Sequence, residues 1–272
     1  MAAAAIIKLS AMASKPDLGT HFRLNEAFGA YSSGTAEELV VGPLSLEIGS
    51  GEFVSVVGSG DRTRSLLLRM IAGLVPLQSG SIDFAGEDGS ETRSIGFVFQ
   101  DSVLLPWRNV LQNVTLEAEI RKLDRRSFEQ RARCLLAAMG LPGIEDQPAH
   151  ELKIGQAQRV AICRALLHNP PLLLIDDPFV HMDFAAREHF VVDFQRLWME
   201  SRFAVMLATG DISEAVQLSD RIVLMSPSPG RILQVLEIDL PRPRRLDKAT
   251  TPQIAEYASL IRTIFRAQGL TY

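Results

Sequence analysis

The sequence predicts an α/β fold built on a buried parallel sheet. Three observations carry that reading. Leu172–Ile175 is an unbroken apolar run set between Asn169-Pro170-Pro171 and Asp176-Asp177, as expected of a short strand buried on both faces. Phe53–Val57 is a second such run, and it leads through the glycine-bearing segment Gly58–Ser65 into a helical pattern. Strand and helix patterns then alternate towards the C-terminus, which suits a parallel sheet with crossover helices.

Composition sets the outer bounds. The chain has 272 residues, 47% of them hydrophobic, enough for one large domain or a domain with a sizeable insertion. A net charge of −4 gives no support to a nucleic-acid partner. Cys134 and Cys163 sit within helical patterns, which fits two thiols better than a disulfide framework. No apolar run reaches the roughly 18 residues of a spanning helix. The alanine-rich start, broken by Lys8 and Ser10, reads as a disordered leader over residues 1–20.

Taken in order, Phe22–Ala27 is the first expected strand, followed by a polar turn at Tyr31-Ser32-Ser33-Gly34. Tyr31 reads either as an ordinary exposed aromatic or as a stacking platform for a base. Leu44–Ile48 alternates apolar and polar residues as a half-buried strand does, and Gly49-Ser50-Gly51 turns the chain into Phe53–Val57. A helix is expected over Leu66–Leu74, and strands over Gly80–Phe84 and Ser94–Phe99. The segment Gln100–Trp107 is unusually apolar for a loop. Leu104, Leu105 and Trp107 are either core or a docking surface. Helices follow over Asn109–Ile120 and Arg126–Met139, the second ended by Gly140 and Pro142. From Gly155 the next helix carries Val160, Cys163 and Leu167 at helical spacing, with Arg159 and Arg164 off that line, until Pro170-Pro171 stops it. Beyond Asp177, a helix over Phe184–Met199, a buried strand over Phe203–Ala208, a helix capped by Asp211 and running through Leu218, and strands over Ile222–Met225 and Ile232–Ile238 are expected. Pro241–Arg245 reads as a solvated basic linker. Pro252–Ala267 reads as a closing helix with the apolar stripe Ile254, Tyr257, Leu260, Ile261 and Ile264.

Two places carry candidate chemistry. Adjacent carboxylates at the carboxyl end of a buried strand are costly unless a cation sits there, and that edge is where open α/β sheets bind ligands. Asp176-Asp177 is therefore either part of a magnesium–nucleotide site or a strand-to-turn junction with two solvated aspartates. Gly58 and Ser65 stand at the spacing of a phosphate-binding loop, in which backbone N–H groups and a helix N-terminus face the phosphates. Between them Thr63 replaces the expected glycine and Arg64 the expected lysine. A Cβ at Thr63 narrows the backbone's approach and penalises a positive φ, and a guanidinium is not interchangeable with an ammonium.

The order of these motifs resembles the ATP-binding subunits of ABC transporters, most of all the importers of nitrate, sulfonates, taurine and related small anions. The resemblance covers about Phe22 to Ala267. It is carried by Gly58–Ser65, Gly96-Phe97-Val98-Phe99-Gln100 with Leu105-Pro106-Trp107, Leu152–Gln156, Arg159–Ile162, Leu172–Phe179, Asp220-Arg221, and Met225-Ser226-Pro227 with Pro229-Gly230-Arg231. It implies a P-loop NTPase-type nucleotide-binding domain over residues 21–246, with a helical subdomain over about 101–168, an antiparallel β subdomain, and a helical extension over 247–272. ATP would be held by Tyr31 (with Phe28 as its rival for stacking on adenine), Gly58, Ser59, Gly60, Asp61, Arg62, Thr63, Arg64 and Ser65, and, from a second ATP-binding subunit in a homo- or heterodimer, by Lys153, Gly155 and Gln156. Ser65, Gln100 and Asp176 would hold Mg2+, Asp177 would stand at the general base with Gln100 beside it, and Asp183 would lie at the dimer seam. The Gln100–Trp107 loop would receive a membrane permease, with a periplasmic solute-binding protein as an indirect partner. The location implied is peripheral, on the cytoplasmic face of the inner membrane.

Departures from the family pattern bear on turnover. Besides Thr63 and Arg64, the signature carries Lys153 and Ile154 where the family has serine and glycine. Asp177 replaces glutamate, and Gly210 stands at the switch histidine. A misplacement of about 1 Å at a reacting group can cost on the order of 100-fold. Three readings stay open: an importer subunit that binds ATP and hydrolyses it slowly or not at all, a non-hydrolytic structural or regulatory subunit docked on a permease, and a decayed enzyme.

Overall fold

The computed structural model describes residues 22–31, 39–58, 60–84, 94–245 and 251–270; the expected leader, the polar turn after Tyr31, and Ser59 lie outside them. The chain forms two compact units. One comprises residues 94–173 and 178–203 and the other the remaining described residues.

The second unit holds two sheets. Strands β1 (Phe22–Tyr31), β2 (Leu39–Ile48) and β4 (Ser79–Phe84) form an antiparallel sheet in the order β2-β1-β4. Phe22 pairs with both Ile48 and Phe84, and its ring packs 5.0 Å from that of Phe84. The other sheet runs side by side as β6 (Leu172–Asp176, of which 174–176 belong here), β7 (Ala204–Thr209), β3 (Phe53–Gly58), β8 (Arg221–Met225) and β9 (Ile232–Glu237). β3 is central. It pairs parallel with β7 (Val54 opposite Met206) and with β8 (Val54 opposite Arg221), and every residue of β3 and β7 is buried. This is why those runs lack polar alternation. Helices α1 (Asp61–Ile71), α7 (Ile212–Leu218) and α8 (Thr251–Ala267) belong to the same unit.

Three expectations here are corrected. α1 begins five residues before Leu66 and ends at Ile71, so Asp61–Ser65 is its first turn rather than a loop. Gly60 starts it with no side-chain cap, while Asp61 supplies the acidic first turn that the helix dipole favours. The closing helix buries Ile254, Ala258, Ile261 and Phe265, spaced four, three and four apart, against Val216 and Ile222 among others; Leu260 is 47% exposed. Pro241–Arg245 is no solvated linker. Arg244 is 2% exposed, and its guanidinium donates to the carbonyls of Val216, Ser219, Ile238 and Leu240.

The first unit is largely helical. It contains β5 (Ile95–Val98), α2 (Val110–Val114), α3 (Leu116–Ile120), α4 (Arg125–Ala138), α5 (Ile154–Leu166) and α6 (Phe184–Ser201). The single helix expected over Asn109–Ile120 is divided at Thr115, whose Oγ1 donates back to the Leu111 carbonyl (2.8 Å), a local bond that competes with the helix ladder. Asn109 caps α2, Asp124 caps α4 and Asp183 caps α6, each accepting from a backbone N–H in the first turn. α5 packs against α2, α4, α6 and β5. A row of buried rings (Phe179, Phe190, Phe194, Phe203) stiffens the α6 side, and Trp198 Nε1 donates to the Phe203 carbonyl (2.9 Å).

Candidate functional site

The site in the second unit is assembled by three strand ends and one helix start. Gly58 closes β3 where the end of β8 comes so near that a Cβ on Gly58 would lie 2.5 Å from the Met225 carbonyl oxygen. Only glycine lets the chain turn there. α1 begins three residues later, at Asp61. Its fifth residue, Ser65, donates from Oγ to Asp176 Oδ1 (2.7 Å) at the end of β6. Asp176 and Asp177 are 2% and 8% exposed, so the reading with two solvated aspartates does not hold. Asp177 has a positive φ of 39°, which aspartate tolerates better than most residues, and its N–H donates to the Ala208 carbonyl of β7 (2.8 Å).

Arg64 takes a position that the motif alone does not suggest. Its side chain folds back over the Gly58 turn, where Nη1 donates to the Gly58 carbonyl. Nη2 reaches Asp61 Oδ1 at 2.6 Å and Asp177 Oδ2 at 3.4 Å. The cation standing where a phosphate-binding lysine is expected is thus engaged by the chain's own oxygens. Thr63 sits in the first turn of α1 with no positive φ, so the expected backbone penalty does not arise. Its methyl instead fills space beside Gly230, where an added Cβ would lie 2.3 Å from Thr63 Cγ2. Gly210, expected at the switch-histidine position, has room for a Cβ, which would lie 3.4 Å from Arg64 Nη2 and 3.8 Å from Asp177 Oδ2.

Electrostatics at the two aspartates are dominated by burial, which raises both carboxyl pKa values. The Ser65 hydrogen bond and then Arg69 and Arg64 pull Asp176 back, and Arg64 pulls Asp177 back. A carboxyl raised in the folded state contributes stability that is full below the unfolded value and is lost as pH rises through the folded one. In chelator at pH 7, Asp177→Asn should therefore be more stable than the natural chain by on the order of 1 kcal/mol, and the gap should close on acidification towards pH 4. Urea unfolding at several pH values measures it, and a gap that widens in acid would refute the burial argument.

The first unit carries the remaining expected residues. Lys153 starts α5, its N–H donating to Gln156 Oε1 (3.0 Å), and Ile154 is 59% exposed. A Cβ on Gly155 would make ordinary contact with Ala186 at 3.4 Å, which places the starts of α5 and α6, and with them Asp183, side by side. Gln100 opens the apolar loop. Gln158 Nε2 donates to the Phe99 carbonyl (2.9 Å), and Arg164 donates to the carbonyls of Ser102 (3.0 Å) and Val103 (2.9 Å). Asn113 clamps both backbone groups of Leu105 (2.7 and 3.1 Å). With its backbone so held, the loop leaves Val103 and Trp107 exposed, Trp107 by 77%, and Trp107 lines a groove of about 820 Å3 with Leu111, Leu123 and Phe128. Trp107 is therefore not a core residue, while Leu104 and Leu105 are half-buried. Gln158 and Arg164 were not among the expected functional residues; the signal for Arg164 was its place off the apolar line of α5. Tyr31 ends β1 with 44% of its surface exposed.

Comparisons with known proteins agree with this arrangement. A family model described as ABC transporter matches residues 41–180. The taurine import ATP-binding protein TauB of Escherichia coli O157:H7 is 40% identical over 207 residues, 75% of this chain and 80% of that protein. An uncharacterised ABC transporter ATP-binding protein of Methanocaldococcus jannaschii, MJ0412, is 35% identical over 231 residues, 84% of each chain. Among solved structures, the dimeric bacterial ABC transporter cassette MJ0796 superposes with a TM-score of 0.69 at 27% identity, over 80% of this chain and 99% of that one; it is also known in a post-hydrolysis state with ADP and Pi. On this sequence, fold and site, the chain belongs to the ABC transporter family, among its ATP-binding proteins.

Proposed function

We propose that the chain is the ATP-binding subunit of an ABC importer for a small anion of the taurine, sulfonate or nitrate type. It binds Mg-ATP and hydrolyses it slowly or not at all. The observation that carries this reading is the Ser65–Asp176 contact in the first turn of α1 (2.7 Å), which brings two hard oxygen donors together at a helix N-terminus. Oxygen donors of this kind suit Mg2+, which keeps several waters and takes one or two protein oxygens plus substrate phosphates. When bound there, the ion would offset phosphate charge. Ser65 and Asp176 would hold it, and the start of α1 would face the phosphates. Slow turnover follows from Asp177. It reaches one methylene less far than the family's glutamate, and Arg64 Nη2, 3.4 Å from its Oδ2, competes for the oxygen that would take a proton from water.

The small-anion class rests on the likeness to TauB. Assembly as a dimer on a membrane permease, at the cytoplasmic face of the membrane, rests on the dimeric cassette and on exposed Val103 and Trp107 in the loop after Gln100. That loop also supports the second reading, a subunit that docks on a permease without using nucleotide.

Calorimetric titration with ATP, with and without Mg2+, tests the first reading. The natural chain should bind Mg-ATP, and Ser65→Ala should bind it about tenfold more weakly with Mg2+ while matching the natural chain in chelator. No nucleotide affinity in the natural chain would overturn this reading and leave the second.

A further inference from the structure

We propose that Asp61 is a positioning residue that keeps Arg64 folded into the Gly58 turn, so that an incoming phosphate must displace the Asp61 carboxylate before the guanidinium can receive it. The proposal rests on the nucleotide-binding reading above. It adds a latch that the chain carries on its own phosphate site.

The argument begins with charge. A guanidinium is always protonated in a protein, so a buried one needs anionic or carbonyl oxygens around it at all times. Arg64's side chain is 2% exposed. Nη1 is taken by the carbonyl of Gly58, a residue so near the end of β8 that a Cβ would lie 2.5 Å from the Met225 carbonyl oxygen. Nη2 is shared between two carboxylates. At 2.6 Å, Asp61 is the nearer by far; Asp177 at 3.4 Å is a marginal partner. Nε is buried and has no hydrogen-bond partner among the described residues. The guanidinium is therefore held where a phosphate oxygen would find both a free donor and a competed one.

The two ends of the Asp61–Arg64 pair differ in environment. Asp61's side chain is 78% exposed, so its carboxylate can return to water at little desolvation cost. Arg64 cannot leave without stranding charge. An exposed anion on a buried cation is thus an exchangeable counter-ion. It keeps the site closed when no nucleotide is bound and yields to a phosphate that carries more charge.

Asp61→Asn keeps the shape and a residue suited to a helix start but removes the charge. Modification of Arg64 by phenylglyoxal, followed by mass spectrometry of its peptide, should be slow in the natural chain and several-fold faster in the variant. Asp61→Glu should restore protection. ATP affinity in Asp61→Asn should rise roughly fivefold, about what an exchangeable ion pair at a half-exposed site is worth. In an Arg64→Ala background the same change at Asp61 should move affinity less than about twofold, because the pair no longer exists. Equal Arg64 reactivity in the natural chain and Asp61→Asn overturns the latch. So does an ATP affinity that falls in Asp61→Asn, which would make Asp61 an aid to phosphate binding. Faster Arg64 modification with no ATP binding by any variant upholds the latch and overturns the nucleotide reading instead.

Discussion

Replacing Arg244 by alanine should cost about 4 kcal/mol of stability, seen as a large drop in the urea midpoint with an unchanged slope. α7 ends at Leu218, and like any helix it leaves its last carbonyls without intrahelical donors. Arg244 supplies them. Nη1 donates to Val216 (2.7 Å) and Ser219 (2.5 Å), Nη2 to Ile238 (3.0 Å) and Leu240 (2.9 Å), and Nε again to Leu240 (3.1 Å). One guanidinium thus ties the end of α7 to the exit from β9. Arg242 assists with bonds to the Leu218 carbonyl (2.6 Å) and Asp220 (2.7 Å), whose other oxygen accepts from the Phe53 N–H at the start of β3 (2.9 Å). Burial lowers the Arg244 pKa to about 10, which still leaves it charged at neutral pH, so the loss should be nearly constant between about pH 6 and 8. Alanine strands buried carbonyls at about 1–3 kcal/mol each, moderated by whatever water enters. Lysine, a point charge with three donors, should recover less than half. Because α8 packs on α7 through Ile254, Ala258, Ile261 and Phe265, its amides should exchange faster in the variant. A loss below about 1 kcal/mol would mean that water satisfies these carbonyls as well as the arginine does.

Arg244 also marks where sequence reading ends. The buried strands were legible because burial on both faces writes itself locally: β3 and β6 are short unbroken apolar runs between breakers, and their ends fall within a residue of expectation. α5 was legible at its far end because Pro170 cannot continue a helix. In the site, the meeting of Ser65 with Asp176 is implied by the family resemblance and not by spacing alone, which marks only two separate places; the fold joins them because both lie at the ends of regular elements. What could not be read depends on partners far away in sequence. Pro241–Arg245 looks like any basic linker until the carbonyls of α7 and β9 are placed around it. Arg64 looked like a substituted phosphate ligand, and its actual partners include Asp177, 113 residues away. The start of α1 was missed for a different reason: the glycine-bearing segment suggests a loop, and Gly60 offers no side-chain cap to signal a helix, leaving Asp61 as the only local mark.

Thr63→Gly combined with Arg64→Lys should move affinity and stability in opposite directions. An ammonium on a flexible stem cannot bond the Gly58 carbonyl, Asp61 and Asp177 at once as the guanidinium fork does, so the closed arrangement weakens and a compact cation becomes available to phosphate. One charge-assisted hydrogen bond is worth about 1.5–3 kcal/mol, so releasing it should raise Mg-ATP affinity on the order of tenfold to a hundredfold in calorimetry. The same variant should unfold more easily. Thr63's methyl is packed at Gly230, and Gly230 is itself pinned by its carbonyl accepting from the Gly42 N–H (2.8 Å) and its N–H donating to the Val40 carbonyl (2.7 Å), so the space left by glycine cannot close. Loss of that buried group and a glycine in the first turn of α1 should together cost about 2 kcal/mol. The present residues would then be a stability gain made at the expense of nucleotide affinity, as expected where selection for turnover has been relaxed. If affinity does not rise while the natural chain binds well, Arg64 opens without help and serves as the phosphate ligand itself. If affinity rises with no loss of stability, Thr63 and Gly230 are loosely packed, and the cost of restoring the loop is set by Arg64 alone.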